Sequence, residues 1–195
     1  MDGKTIEPVA KIYLMMNKPR GVVTTASDEK GREIVYAVLS NANPPFPWVA
    51  PVGRLDKASE GLLLLTNDSE WGARVAAPET HLEKTYHVQI DTLADEKLIV
   101  SLRRGVRGED GDLLRASQAR LLRSGEKNCW LEIILDEGKN RQIRRMLAAL
   151  GVDVLRLVRV AIGPLQLGNL AKSAFRTLTQ DEKKMLDLAM QARIS

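Results

Sequence analysis

The sequence predicts an α+β fold in which short hairpin-like links join the strands, and three patterns support this prediction. Leu62–Thr66 is apolar on both faces, as expected of a buried central strand. Thr85–Ile90 alternates, with Tyr86 on its apolar face, which is typical of a strand with one face on the core. Apolar residues recur at helical spacing from Ile143, and Gly151 follows the last of them. This spacing predicts a helix that ends at the glycine.

The elements before the central strand follow from similar signals. Ile12–Met16 is predicted to be a strand that leads into a turn at Asn17–Gly21. A helix is expected from about Glu33 to Leu39, and the proline-containing segment Asn41–Ala50 is expected to be a loop. A short strand is predicted at Val52–Leu55, just before the central strand.

The elements after the central strand include three helices and two more strands. Ser69 is predicted to cap a short helix that ends at Pro78, and strands are expected at Leu113–Leu122 and Trp130–Leu135. Two further helices begin with the Thr-to-acid spacing of a capping box. These two are Thr92–Asp95, before a helix ending near Gly105, and Thr179–Glu182, before a final helix with Met185, Leu188, Ala189 and Ala192 on its buried side.

Length and composition predict a single domain spanning residues 1–195, built from two small halves. The chain is 44% hydrophobic and 28% charged, so it can bury a core without staples. One cysteine and two histidines argue against an internal disulfide and a metal site. The first residues do not resemble a signal peptide and no apolar run is long enough to span a membrane, so a cytoplasmic location is expected.

Positive charge is concentrated in one segment, between Lys139 and Arg159. The whole chain has a net charge of +4 and a pI near 9.3, but this segment holds six basic residues and one acid, Asp153. Such a cluster either attracts phosphates or forms a solvated helix face.

The block GRLDKASEGLLLLTND places a carboxylate, Asp56, between two apolar strands and close to Arg54. An apolar setting favours the uncharged acid unless a cation lies beside it. An ionised and partly desolvated carboxylate is a good nucleophile or base. The spacing alone favours the other alternative, an aspartate that caps a turn.

The block EGKNRQIRRMLAALG places three arginines on the predicted helix. If its apolar residues face the core, Arg141 and Arg145 lie on the opposite side and Arg144 lies at the border. Arg144 can then reach into a cleft and pair with Asp56, or all three can be solvated. Tyr86 likewise fits either a core position or the edge of a cleft, where it can stack on a base.

Five blocks together decide between these alternatives, because in this order they resemble the pseudouridine synthases that act on small-subunit and large-subunit ribosomal RNA. The resemblance covers about Leu14 to Leu178. The blocks are NKPRGVVTT, GRLDKASEGLLLLTND, EKTYHV, EGKNRQIRRML and LRLVRVAIGPLQL.

The resemblance implies a role for each candidate residue. Asp56 corresponds to the catalytic aspartate, Tyr86 to the tyrosine that stacks on the target base, and Arg144 to the basic residue that pairs with the aspartate. It also implies RNA-binding roles for Arg54, Lys18, Arg141 and Arg145.

The resemblance further implies two α+β halves that share a largely antiparallel mixed sheet, with the active cleft between them. The expected partner is ribosomal RNA, with large-subunit RNA favoured, or a ribosomal precursor particle. No cofactor, metal or membrane is expected, and the chain is expected to act as a monomer. Because only about a dozen residues precede NKPRG in the sequence, no separate RNA-binding domain of the S4 ribosomal-protein type is expected.

Two other functions compete with this interpretation. A non-catalytic RNA-binding ribosome-assembly factor can share the fold, but it does not need an intact set of Asp56, Tyr86 and Arg144. A glycosidase needs two carboxylates flanking the bond, and Glu60 is the only acid close to Asp56 in sequence.

Overall fold

A computed structural model describes residues 9–25, 35–40, 42 and 45–191. The start of the helix expected from Glu33, part of the loop Asn41–Ala50, and Ala192 lie outside the described residues. The strands are β1 (Tyr13–Lys18), β2 (Ala50–Val52), β3 (Glu60–Thr66), β4 (Lys84–Ile90), β5 (Val106–Arg107), β6 (Leu113–Leu114), β7 (Gln118–Ser124), β8 (Cys129–Leu135), β9 (Val154–Ile162), β10 (Leu165–Gln166) and β11 (Phe175–Thr177). The helices are α1 (Val35–Leu39), α2 (Ser69–Ala76), α3 (Glu96–Arg104), α4 (Gln142–Ala149) and α5 (Gln180–Gln191), with a 3₁₀ turn at Pro78–Thr80.

Nine of the described strands form one mixed sheet, in the order β11-β1-β3-β9-β4-β8-β7 with β2 on β3 and β10 on β9. β3 and β9 pair in parallel, and the other described pairs are antiparallel. The predicted α+β fold with a largely antiparallel sheet is therefore confirmed. The parallel pair joins an amino-terminal half to a carboxy-terminal half, which places strands from both halves side by side at the centre.

Three apolar clusters form the core of the described residues. In the amino-terminal half, alternate leucines of β3 face opposite sides: Leu62 and Leu64 contribute to one cluster, and Leu63 and Leu65 to another. All four are fully buried, which confirms β3 as the predicted central strand. The third cluster packs one face of the carboxy-terminal strands against residues of α3 and α4.

The helix starts confirm one capping box and correct the other. Thr179 and Glu182 exchange hydrogen bonds between side chain and backbone at 2.9 and 3.1 Å. At α3 the cap is Asp95, whose carboxylate accepts from the Leu98 amide at 2.8 Å. The prediction that Thr92 caps this helix was wrong because Asp95, directly before the first turn, is closer to the free amides.

The buried face of α5 also differs from the prediction. Met185 and Leu188 are about half exposed, whereas Leu186 and Met190 are fully buried. The helix is rotated because Leu186 and Met190 fit the cluster that contains Trp71 and Leu165. The strand predicted at Leu113–Leu122 is in fact two strands, β6 and β7. Within the described residues, no helix is long and apolar enough to cross a membrane.

Candidate active site

A cleft of about 470 Å³ lies where the two halves meet. This volume is typical of a site for a small molecule or a single nucleotide. The cleft is lined by five of the seven candidate residues, which come from distant parts of the sequence. They are Arg54, Asp56, Tyr86, Arg141 and Arg144.

The turn that carries Asp56 is fixed by a segment near the amino terminus. The Thr24 hydroxyl donates to the Leu55 carbonyl at 2.8 Å and accepts from the Leu55 amide at 3.3 Å. The Gly21 amide donates to the Lys57 carbonyl at 2.8 Å. These bonds hold the backbone on both sides of Asp56, and its side chain remains 32% exposed to the cleft.

Lys18 supports this arrangement from below and does not reach the cleft. It is fully buried, and its ammonium donates to the carbonyls of Val22 at 2.7 Å and Pro19 at 3.1 Å. Burial lowers the pKa of Lys18 to about 8, against the opposing effect of the nearby Asp56 and Glu60 carboxylates. The prediction that Lys18 contacts phosphates is therefore wrong, because its ammonium has no access to solvent.

Two arginines of the segment at the start of α4 approach the Asp56 carboxylate. Arg144 Nε lies 4.0 Å from Asp56 Oδ2, and Arg141 Nη1 lies 3.9 Å from the same oxygen. Arg144 Nη2 also donates to the Ala58 carbonyl at 3.2 Å and lies 3.4 Å from the Ser59 hydroxyl. Burial, and then the charge of Arg141, lower the pKa of Arg144, while Asp56 opposes them.

The turn before α4 is organised by Gln142, which the sequence reasoning missed. Its buried amide donates to the Arg115 carbonyl at 2.9 Å and to Glu137 at 3.0 Å, and its oxygen accepts from the Lys139 amide at 3.1 Å. Arg141, one residue earlier, has a left-handed backbone with φ of 50°. A polar residue in the first turn of an apolar helix face was the only available signal, and spacing gave no reason to expect it to be buried.

Arg145 points away from the cleft. Its guanidinium pairs with Asp110 and, at 3.2 Å, with Asp112. The structure gives no support to the prediction that Arg145 contacts phosphates, because its Nη2 pairs with both carboxylates and its Nη1 donates to the Asn140 carbonyl at 3.3 Å. Arg54 is exposed at the cleft.

Three side chains from β4 and β9 line the floor of the cleft, and the sequence predicted only Tyr86. Tyr86 and Arg159 are direct neighbours across these antiparallel strands, so their side chains share a face. Lys84, two residues before Tyr86, lies on the same face and also lines the cleft. Sequence reasoning had assigned Arg159 to a surface cluster, because strand order is needed to see that it lies between β3 and β4.

Glu60, the acid nearest Asp56 in sequence, is occupied elsewhere. Both of its oxygens accept from Arg156 at 3.0 Å, and Lys172 lies 3.6 Å away. Burial by itself raises the pKa of Glu60, but the pairing with Arg156 outweighs it and lowers the pKa overall. Glu60 is therefore not a second carboxylate for glycosidic chemistry with Asp56.

Comparisons with known proteins agree with this geometry. The family model for RNA pseudouridylate synthase matches residues 12–149. The chain is 36% identical over 188 residues to ribosomal large subunit pseudouridine synthase B of Bacillus subtilis, covering 95% of this chain and 75% of the relative. It is 38% identical over 175 residues to ribosomal large subunit pseudouridine synthase E of Xanthomonas axonopodis, covering 82% of this chain and 90% of the relative.

A solved structure is similar over most of the chain. The crystal structure of a pseudouridylate synthase superimposes with a TM-score of 0.78 at 31% sequence identity, and the match covers 91% of this chain and 74% of the other. The sequence blocks, the fold and these matches lead to the same conclusion: the chain belongs to the RNA pseudouridylate synthase family of enzymes.

Proposed function

We propose that this chain isomerises uridine to pseudouridine in large-subunit ribosomal RNA, with Asp56 as the catalytic carboxylate. One observation carries the proposal. The Asp56 carboxylate is partly buried in the cleft, with two guanidiniums within 4.0 Å of one oxygen and Tyr86 lining the same cavity. The names of the two ribosomal relatives support the choice of RNA.

The uridine must leave its stack to reach Asp56. Extrusion costs a few kcal/mol, and stacking of the uracil on Tyr86 offsets part of this cost. Arg54 and the half-exposed Arg141 line the cleft where phosphates of the flipped strand would pass. Contacts with those phosphates add affinity that falls with salt.

Asp56 then promotes cleavage of the bond between ribose C1′ and uracil N1. Two routes begin from the same carboxylate: attack on C1′, which gives an ester, or removal of the C2′ proton, which gives a glycal. In both, the electrons of the broken bond stay on the uracil, which rotates and rejoins C1′ through C5. As the new bond forms, the ester bond to Asp56 breaks in the first route, and Asp56 returns the proton to C2′ in the second. The C5 proton is lost last, to Tyr86 or to water, and the product is an isomer, so no redox partner or nucleotide is consumed.

The positions of the arginines fit this role for Asp56. Both guanidiniums lie within 4.0 Å of one Asp56 oxygen, and a positioned carboxylate can serve as nucleophile or base. Buried Leu55 lies directly before Asp56, and buried Leu135 and Leu157 also line the cleft. Such a lining limits the access of water, which would otherwise hydrolyse the intermediate and leave an abasic site.

The test is release of tritium from uridine labelled at C5 in large-subunit ribosomal RNA, with no added metal or nucleotide. Asp56→Asn should abolish release and keep most of the RNA affinity, because asparagine preserves shape but is neither a nucleophile nor a base at neutral pH. Asp95→Asn is the matched control, because Asp95 caps α3 and asparagine caps equally well.

Small-subunit RNA, tested in parallel, checks the choice of RNA and should release no tritium. RNA binding without release from either RNA, naked or in particles, would support the assembly-factor function instead. Near-normal release by Asp56→Asn would contradict the proposed role of that residue.

A further inference from the structure

Arg159 is a buried cation at the floor of the cleft with a free donor. The residue is only 5% exposed, and its Nε donates to the Leu62 carbonyl at 2.8 Å. Its Nη2 is buried and has no hydrogen-bond partner within the described part of the chain. A buried charged donor without a partner is unfavourable, and groups of this kind are retained where a ligand completes them.

The neighbouring strands fix the backbone of Arg159 closely, and the bond from its Nε to the Leu62 carbonyl holds the guanidinium. Gly61 of β3 lies opposite Arg159 in the parallel pair, and a Cβ on Gly61 would come within 2.2 Å of the Arg159 carbonyl oxygen. Tyr86 flanks Arg159 on the other side, on β4. Arg159 is therefore locked at the sheet centre beside the ring on which the target base stacks.

Lys84 provides a second donor next to Arg159. It lines the same cleft and is partly buried. Burial, and then the charge of Arg159, lower the pKa of Lys84 to about 8, and Asp136 acts in the opposite direction. Six basic and three acidic residues line the cleft, so it favours an anion even though Asp56 is present.

We propose that Arg159, assisted by Lys84, donates hydrogen bonds to a carbonyl oxygen of the flipped uracil and stabilises the uracil anion. This inference rests on the proposed function and adds the group that handles the leaving base. When the N1–C1′ bond breaks, its electron pair passes to N1 and is delocalised onto O2 and O4. Meanwhile C1′ bonds to the Asp56 carboxylate, or Asp56 takes the proton from C2′ and the electrons of that C–H bond form a C1′–C2′ double bond. No further reactant is needed.

The donors act on the transition state more than on the bound substrate. Neutral uracil carries partial charge on its carbonyl oxygens, whereas the anion carries a share of a full charge, so a fixed donor there strengthens as the bond breaks. Arg141 and Arg144 approach Asp56 instead. Different cations therefore act on the two sides of the breaking bond. Arg141 and Arg144 lie beside the carboxylate on the sugar side, whereas Arg159 and Lys84 face the uracil.

The experiment compares the single-turnover rates at which uridine and 5-fluorouridine at the target position of the same RNA are consumed, measured by chromatography of the digested RNA. Because 5-fluorouridine has no C5 proton to lose after the base rejoins the sugar, disappearance of the starting nucleoside is counted for both RNAs in place of pseudouridine formation. Fluorine at C5 withdraws electrons and stabilises the uracil anion without help from the protein. With uridine, Arg159→Met should lower the rate about 100-fold and Lys84→Met about tenfold, as for loss of oxyanion donors. With 5-fluorouridine the rate loss of each variant should be at least about fivefold smaller than with uridine. The RNA affinity of both variants should stay within about twofold of the unsubstituted protein.

Arg159→Lys and Arg103→Met complete the design. Arg159→Lys keeps the charge, so its rate with uridine should fall less than that of Arg159→Met. If the methionine variant does not fold, the rates with the two nucleosides are compared for Arg159→Lys. Arg103 also donates to a backbone carbonyl, that of Ala119, but does not line the cleft. Arg103→Met should therefore convert both RNAs at the normal rate.

Each outcome decides one question. Equal losses on the two RNAs for Arg159→Lys and Lys84→Met would overturn the inference, because a purely structural role cannot distinguish the leaving groups. An active wild type with an inactive Asp56→Asn shows that the proposed function stands whatever Arg159 does. An inactive wild type, or an active Asp56→Asn, contradicts the proposed function and removes this inference with it.

Discussion

Arg141 and Arg144 lie at nearly the same distance from Asp56 and differ in burial, which allows a sharp comparison. The distances to Oδ2 are 3.9 and 4.0 Å, while the side chains are 55% and 16% exposed. Two charges about 4 Å apart interact by about 1 kcal/mol in water and about 4 kcal/mol at an effective dielectric constant near 20. The interaction of the exposed Arg141 with Asp56 should be close to the value in water, and that of the mostly buried Arg144 closer to the value at the lower dielectric constant.

Single-turnover rates should reflect this difference. Arg141→Met should cost about 1 kcal/mol, or roughly fivefold, because the pair is solvated. Arg144→Met should cost about 3 kcal/mol, which lowers the rate roughly 100-fold. It removes a mostly buried charge beside Asp56 and the contacts of Arg144 with Ala58 and Ser59 in the turn. The rate loss for Arg144→Lys should fall between these two values, since lysine keeps the charge but lacks the planar guanidinium with its several donors.

The measurement is tritium release with enzyme in excess, alongside RNA affinity by filter binding. Phosphate contacts by Arg141 would appear in affinity, whereas support of Asp56 appears in the rate. Combined with Asp56→Asn, Arg144→Met should add almost nothing, because both changes disable one unit. Equal rate losses for Arg141→Met and Arg144→Met, or fully additive losses with Asp56→Asn, would refute the reasoning.

Four further predictions follow from individual contacts. Tyr86→Phe should keep RNA affinity, because stacking survives, and a slower rate of tritium release would assign the final deprotonation to its hydroxyl. Arg141→Ala should reduce the salt slope of RNA binding by about one, whereas Arg145→Ala should leave it unchanged because two carboxylates hold that guanidinium. Lys18 has a pKa lowered from 10.5 to about 8 in the folded chain, so the unfolded chain binds more protons above that pH and stability rises with pH. Denaturation should show a rise in stability between about pH 8 and 9.5, of which roughly 1.5 kcal/mol comes from Lys18. Lys18→Met should remove that part and leave the part due to Lys84, whose pKa is also lowered to about 8. Gly61→Ala should destabilise by at least about 3 kcal/mol in the same assay, since its φ is +104° and the added Cβ meets backbone.

The sequence predicted the elements that depend on local patterns. β3 and α4 have strong apolar periodicity, and both formed as expected. Apolar spacing failed for α5, where several residues can form an apolar stripe and only the partner surface decides which one is buried. Here Leu186 and Met190 face that surface, and Leu188 does not.

In the candidate site, too, the sequence predicted some positions and not others. The resemblance named Asp56, Tyr86 and Arg144, and all three line one cleft; their chemical roles remain predictions. The resemblance also gave RNA-binding roles to Lys18 and Arg145, because a basic side chain looks solvated in the sequence until its partners are known. Val22 and Pro19 carbonyls hold the first, and carboxylates hold the second.

Burial of Lys18 changes how its sequence block is understood. The segment that begins with Lys18 holds the turn that carries Asp56. The Thr24 hydroxyl donates to the Leu55 carbonyl, and the Gly21 amide donates to the Lys57 carbonyl. Arg144 reaches the same turn from α4, on the far side of the cleft. The carboxylate is therefore positioned by both halves of the molecule at once. The hydrogen bond from Arg144 to the Ala58 carbonyl is the contact by which α4 takes part in placing this turn.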